Sequence, residues 1–456
     1  LTPDGDLLPG TSYTIEVSAA VEDLAGNGPA NAISWTFATA VPQLTATAPA
    51  SGATNVPIDD GTIRIFFDSG IITALLEAAD AVQVLREGDV VNLSATPVFD
   101  VESNNLSFVL EDGLKPGSRY EVVLSGLLAG PLRALEDGDF RWAFTTAVPQ
   151  VTSLTPADGN MEVSVAEPTI AVVFDGLIDQ DAVAGSVALL EQGEQIPTTD
   201  EEYNPATSVL SVQPADGLRV GTSYQIVVSG LVGGPLRQAA GDYRWSFSTA
   251  VPQLVAVEPE ADRSDVTIDL VEAAITFSAP LDPRDLPGSF TIAREGIPVE
   301  LRDDDPVDRS DGRYGLAPSA GWLVGSNYTV AVSSVVTGPL GEGELISWQF
   351  QTAVPDTISV SPAAGDTTVS ARNTTVSVVF DNAVDEVALR MEGNVLLLEE
   401  GRPVETSTPI LEGNTISFAS TSGRFRAGSN YQVQIDRAIA GPKREDDFRW
   451  DFATRV

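Results

Sequence analysis

The pentapeptide Trp-x-Phe-x-Thr recurs five times in this chain, as Trp35 to Thr39, Trp142 to Thr146, Trp245 to Thr249, Trp348 to Thr352 and Trp450 to Thr454. The copies lie about 100 residues apart, enough for an independent core and far too long for a solenoid unit. The chain therefore reads as an array. Residues 41–147, 148–250, 251–353 and 354–456 form four full units, and residues 1–40 hold only the closing half of another. That leader implies an unseen upstream portion, and we read the chain as a window on a longer protein.

Other marks recur in register. A tyrosine follows a turn glycine at Tyr13, Tyr120, Tyr224, Tyr328 and Tyr431. An early apolar run closes on Phe67, Phe174, Phe277 or Phe380. Around these marks apolar residues alternate, as in Tyr120, Val122, Leu124 and in Ile63, Ile65, Phe67. Period-two alternation with β-branched and aromatic residues, broken by Gly, Pro and Asp, predicts short strands with one apolar face each. Such faces need a second sheet to cover them. A short helical turn is expected only near Ile72 to Ala81. Tyrosine and tryptophan strands are close in sequence and should pair, joined by a loop of the type Gly130-Pro131-Leu132. The glycine before each tyrosine persists while its neighbours change, as a positive φ would require. A tyrosine just beyond such a turn fits the tyrosine corner of immunoglobulin-like sandwiches.

These residues resemble the bacterial Ig-like domains of surface-layer proteins, the SbsA-like family. The resemblance rests on Pro49-Ala50-Ser51-Gly52 and Pro156-Ala157-Asp158-Gly159, on Phe67-Asp68, Phe174-Asp175, Phe277-Ser278 and Phe380-Asp381, and on Leu8-Pro9-Gly10-Thr11-Ser12-Tyr13 with the closing Trp-x-Phe-x-Thr. It spans essentially the whole chain. The family's Asp-x-Ala-Gly-Asn segment occurs only in the leader, as Asp23-Leu24-Ala25-Gly26-Asn27. The resemblance implies an all-β chain of tandem immunoglobulin-like β-sandwiches in an extended array. It further implies an extracellular, bacterial cell-surface location, a structural role, attendant calcium and no enzymatic activity.

Composition narrows the function independently. Sixty-five acidic residues against 25 basic give a formal charge of −40, which repels nucleic acid and anionic membranes. A 43% hydrophobic content is too high for a disordered acidic tail. Cysteine and histidine are both absent, so thiol nucleophiles, histidine-based triads and zinc sites with nitrogen or sulfur ligands are unavailable. No apolar run reaches the length of a membrane span. With so many acids, close carboxylate pairs arise by chance, and none stands in a distinctive setting for glycosidase chemistry.

The densest acidic stretch supplies the candidate calcium ligands Asp303, Asp304, Asp305, Asp308 and Asp311. Against that reading, Pro306 and Arg309 interrupt the row, and a solvated, self-repelling loop explains it better. Weaker acidic groups are Glu136, Asp137 and Asp139, then Asp200, Glu201 and Glu202, then Glu445, Asp446 and Asp447. The repeated aromatics are expected in the core. Trp322 alone stands outside the repeat, either exposed as a contact point or packed over the end of its sandwich.

Ala-Val-Pro follows the first four closing signatures, for example Ala147-Val148-Pro149. So short a proline-containing joint restrains its neighbours. It predicts a semi-rigid rod, with Val148 and its equivalents tucked between domains. Strands of about 7 residues at about 3.3 Å each suggest a reach of roughly 160 Å. The expected function is a spacer or scaffold outside the cell, whether stalk, surface layer or appendage subunit, with neighbouring copies or other surface proteins as partners. An adhesin or carbohydrate-binding array is the alternative, with residues 251–353 the place to look. A third reading is the non-catalytic accessory region of a larger secreted enzyme.

Overall fold

A computed structural model of the chain describes residues 2–166, 169–302, 306–308, 312–341, 343, 345–372 and 375–456. Its residues cluster into two compact units, Leu1–Leu218 with Ser223–Ser248, and Arg219–Thr222 with Thr249–Val456. The first unit opens with a hairpin of β1 (Ser12–Val17) and β2 (Ile33–Ala38). A complete sandwich follows. Its strands are β3 (Leu44–Ala48), β4 (Thr62–Phe67), β5 (Val82–Arg86), β6 (Asp89–Val91), β7 (Val98–Asp100), β8 (Asn105–Val109), β9 (Arg119–Leu124) and β10 (Phe140–Thr145), with a short helix α1 (Pro131–Glu136) before β10. One antiparallel sheet has the order β3-β4-β8-β7 and the other β10-β9-β5-β6. The same pair of four-stranded sheets recurs once more in the first unit and twice in the second.

The alternation read from sequence is the alternation of burial. Ile63, Ile65 and Phe67 point inward from β4, and Tyr120, Val122 and Leu124 from β9, all buried. β9 and β10 pair with Val122 opposite Trp142 and Tyr120 opposite Phe144, so the tyrosine and tryptophan strands are neighbours as expected. Trp142, Trp245, Trp348 and Trp450 all lie in cores rather than on a binding stripe. The phenylalanine of each signature stacks on the tyrosine opposite, with ring centroids 5.3 to 5.7 Å apart. Burying each such ring contributes roughly 1.5–3 kcal/mol. The leader hairpin differs. Trp35 is 48% exposed, because no second sheet covers its face among the described residues.

The fifth letter of the signature has a separate task. Thr146 Oγ1 accepts from the Ser118 N–H at 2.9 Å and donates to the Lys115 carbonyl at 2.7 Å, straddling the turn at Gly117. Thr39, Thr249, Thr352 and Thr454 make the same two bonds around Gly10, Gly221, Gly325 and Gly428. The tyrosine corner closes the turn from its other side. Tyr13, Tyr120, Tyr328 and Tyr431 accept through Oη from the N–H five residues earlier. Burial pushes the hydroxyls of Tyr120, Tyr328 and Tyr431 above their ordinary pKa, so they stay neutral.

The Asp or Ser that follows each early phenylalanine is likewise structural. Asp68, Asp175, Ser278 and Asp381 accept from the backbone N–H of Gln43, Gln150, Gln253 and Asp356, pinning the start of the first strand. In the linkers the proline, not the valine, is the deeply buried residue. Pro42, Pro149, Pro252 and Pro355 are buried, while Val41, Val148, Val251 and Val354 are only partly so.

Thr146→Val removes both bonds across the Gly117 turn, each worth about 1 kcal/mol net. Exchange of the Ser118 amide should quicken by about 10-fold or more in the variant, while the Ser429 amide, held by Thr454, keeps its rate.

Candidate functional site: the glycine joints

The turn that Thr146 and Tyr120 hold in shape presents Gly117 to the following sandwich. Gly117 has φ +51°, and a Cβ there would overlap the carbonyl oxygen of Gly233. Gly234 returns the relation, since a Cβ on it would overlap the carbonyl of Pro116. The Leu236 N–H then donates to the Gly117 carbonyl at 2.9 Å. Two backbones thus meet with no side chain between them, which only glycine permits.

This arrangement recurs. In the first unit Gly10 meets Ala129 and Gly130, and the Leu132 N–H donates to the Gly10 carbonyl at 3.0 Å. In the second unit Gly221 meets Thr337 and Gly338, with Leu340 N–H to the Gly221 carbonyl at 2.7 Å. There too Gly325 meets Ala440 and Gly441, with Lys443 N–H to the Gly325 carbonyl at 3.1 Å. The Gly-Pro loop that sequence treats as an excursion is the receiving half of each joint. Proline at the first position of α1 loses no helix bond and fixes the approach of Gly130.

Side chains two residues before each joint glycine differ, and so do their partners. Lys115 bridges Asp179 at 3.1 Å and Asp181 at 2.5 Å. In the second unit Arg219 reaches Asp285 at 2.8 Å and Asp282 at 3.7 Å. Asp179 and Asp282 each cap a short 3-10 turn, so the same carboxylate fixes its own loop and receives the neighbour's cation. The equivalent pairs elsewhere are Leu8 with Ile72, and Leu323 with Asp385, neither able to form an ion pair. Near Leu323 a looser pair, Lys443 with Glu295, stands at 3.6 Å.

Burial alone would lower the Lys115 pKa, but its hydrogen bonds to Asp181 and Asp179 outweigh that and leave it raised. The hydrogen bond from Lys115, and then its charge, hold Asp181 below the usual carboxylate value. Burial would raise Asp282, yet hydrogen bonds from Arg284 and the charges of Arg284 and Arg219 leave it lowered.

Of the acids singled out from sequence, some accept hydrogen bonds and some lie outside the described residues. Asp303, Asp304, Asp305 and Asp311 lie outside the described residues. Asp308 is described only as backbone, in the strand Val307–Asp308 paired with Arg313–Leu316. Asp139 accepts from the Gly126 N–H, and Asp447 from Arg437, Gln434 and Arg449. Glu201 accepts from the N–H groups of Gly185 and Val187. In the leader Asp23 accepts from Ala25 and Asn27, closing its own loop. Among the described residues no three carboxylates converge as a metal site would need. Trp322 is buried and packs edge-to-face on Tyr328 and Phe350 at 4.9 and 5.4 Å, so of its two readings the packed one holds. It takes the core place of Leu114, Leu218 and Phe425.

Fold and joints together define tandem immunoglobulin-like β-sandwiches, with main-chain joints repeated within each of the two units. The chain belongs to the bacterial Ig-like domain family, whose profile matches residues 1–39, 38–146, 145–249 and 351–454. No curated protein matches the sequence. Among solved structures it is similar to Sidekick-1 immunoglobulin domains 1–5, at 12% identity over 93% of this chain and 83% of that one, with a TM-score of 0.26. It is also similar to the S-layer protein rSbsC(31–844), at 11% identity over 91% of this chain and 54% of that one, TM-score 0.20. A three-domain titin fragment matches at 10% identity over 68% and 98%, TM-score 0.25.

Two outcomes test the joints. Gly117→Val should open its joint and broaden the distance between spin labels on the two flanking sandwiches. Gly113→Val, at equal backbone strain but facing open space (φ +64°), should leave that distance unchanged. The ion pairs set a pH window. Lowered acids stabilise above their ordinary pKa and lose that contribution as pH falls through the folded value; raised Lys115 stabilises below its ordinary pKa and loses it as pH rises through the folded value. Acid below the ordinary carboxylate range should therefore loosen the Lys115 joint before the Leu323 joint. Simultaneous loosening in paired spin-label measurements would contradict this.

Proposed function

We propose that this chain is an extracellular spacer of the bacterial cell surface, an SbsA-like array serving as stalk, surface-layer or appendage material. The observation that carries the reading is the main-chain joint, repeated four times with the same glycines and the same hydrogen bond. A device that fixes one sandwich against the next suits a part whose work is to hold a distance. Membership of the bacterial Ig-like family supports the reading. So does a composition without histidine or cysteine, which leaves nucleophilic and zinc chemistry without its usual groups. Partners on this reading are neighbouring copies or other surface proteins. The burial of Trp322 withdraws the aromatic feature that most favoured an adhesin.

Surface shaving tests the location. An epitope tag placed in the exposed loop at Glu102 should be released from intact cells by added protease. A tag released only after lysis would refute the proposal.

A further inference from the structure

The last sandwich carries a turn built like the others. Gly428 has φ +70°, Thr454 spans the turn, and the Tyr431 hydroxyl accepts from Arg426 N–H. Its setting differs. Pro116 with Gly117, Val220 with Gly221, and Val324 with Gly325 are all buried by a receiving loop, whereas Ala427 and Gly428 are exposed. A Cβ on Gly428 would meet only Val456, at 3.4 Å. Arg426 stands where Lys115 and Arg219 stand; Lys115 pairs with the capping Asp179 at 3.1 Å, and Arg219 pairs with Asp285 and reaches the capping Asp282 at 3.7 Å. Arg372, Arg424 and Arg455 are exposed close by, with Glu399 in the same hollow as Arg372, Arg424 and Arg426. In a chain of charge −40, three arginines against one glutamate in a single hollow give this face of the last sandwich an excess of basic side chains.

We propose that the Arg426–Gly428 end of the last sandwich is a docking surface for another Ig-like domain, one presenting a Gly-Pro loop and an aspartate at the cap of its first short turn. Gly234-Pro235 and Asp179 show the chemistry required. The glycine supplies close backbone approach to Gly428, and the aspartate supplies the partner for Arg426. A domain with Ile at the capping position, as at Ile72, would lack the complementary charge. The surface follows from joint geometry and charge, so it stands whether or not the protein reaches the cell surface.

The test appends a second copy of residues 149–250 directly after Val456 of the full chain. Because the chain has no cysteine, nitroxides at Glu412→Cys and at the copy's Gln195→Cys report the new joint alone. A narrow distance distribution matching that of the Asp100→Cys/Gln195→Cys pair across the Gly117 joint is expected. Arg426→Asp should broaden it, and Asp179→Arg in the copy should restore it. A broad distribution in the unsubstituted fusion would overturn the proposal, as would a narrow one that survives both Arg426→Asp and Gly428→Val. Hydrogen exchange gives an independent reading. The Gly428 amide should slow at least 10-fold in the fusion, and an unchanged rate would again overturn the proposal.

Discussion

A single threonine hydroxyl organises each unit of this array. Its strand is fixed in the core by the Trp and Phe that precede it, so the hydroxyl arrives at a defined place over the Pro-Gly turn. There it satisfies one N–H and one carbonyl that a tight turn would otherwise leave without partners. With the tyrosine hydroxyl on the other side, the turn has little freedom left. A glycine held that firmly can be offered to a neighbour as a surface of known shape. The core, the turn and the joint are therefore one mechanical sequence, running from Trp142 through Thr146 to Gly117.

The ion pairs act on top of this frame. Charged contacts that are partly shielded, like Lys115 with Asp179, are stronger than exposed ones but sensitive to pH and salt. The main-chain contact beneath them is neither. Joints can thus share a geometry and still differ in how they respond to their surroundings, according to whether a cation, as at Lys115 and Arg219, or a leucine, as at Leu8 and Leu323, precedes the turn.

Much of the fold was legible in the sequence, because β-sandwich cores write their alternation directly into it. Tyr120, Val122 and Leu124 could be placed on one face from spacing alone. The corner tyrosines and the pairing of β9 with β10 followed from short sequence separation. The joints were not legible in the same way. A positive φ accounts for Gly117 without any neighbour, and nothing local distinguishes it from Gly113, whose Cβ direction is open. The available signal was the co-occurrence of two glycine motifs in every full unit, one at each end of the sandwich. Trp322 is unique in residue type, not in position; Leu114, Leu218 and Phe425 fill the same place with other side chains, which is why the packed reading holds. The hydrogen bonds made by the acidic groups were hidden for a related reason. Carboxylates such as Asp139, Asp447 and Glu201 spend their oxygens on nearby N–H groups, a use that charge density cannot reveal.

Because the main-chain contact at each joint is made by glycines and peptide carbonyls, that part of the junction is nearly blind to side-chain identity, with the ion pairs an added layer. A newly duplicated unit inherits both halves of the coupling intact and can be seated beside an old one without compensating substitutions. Loops and outer faces are then free to diverge while the coupling stays constant. Growth by whole units, with no change of fastening, is the form of variation this architecture permits most readily.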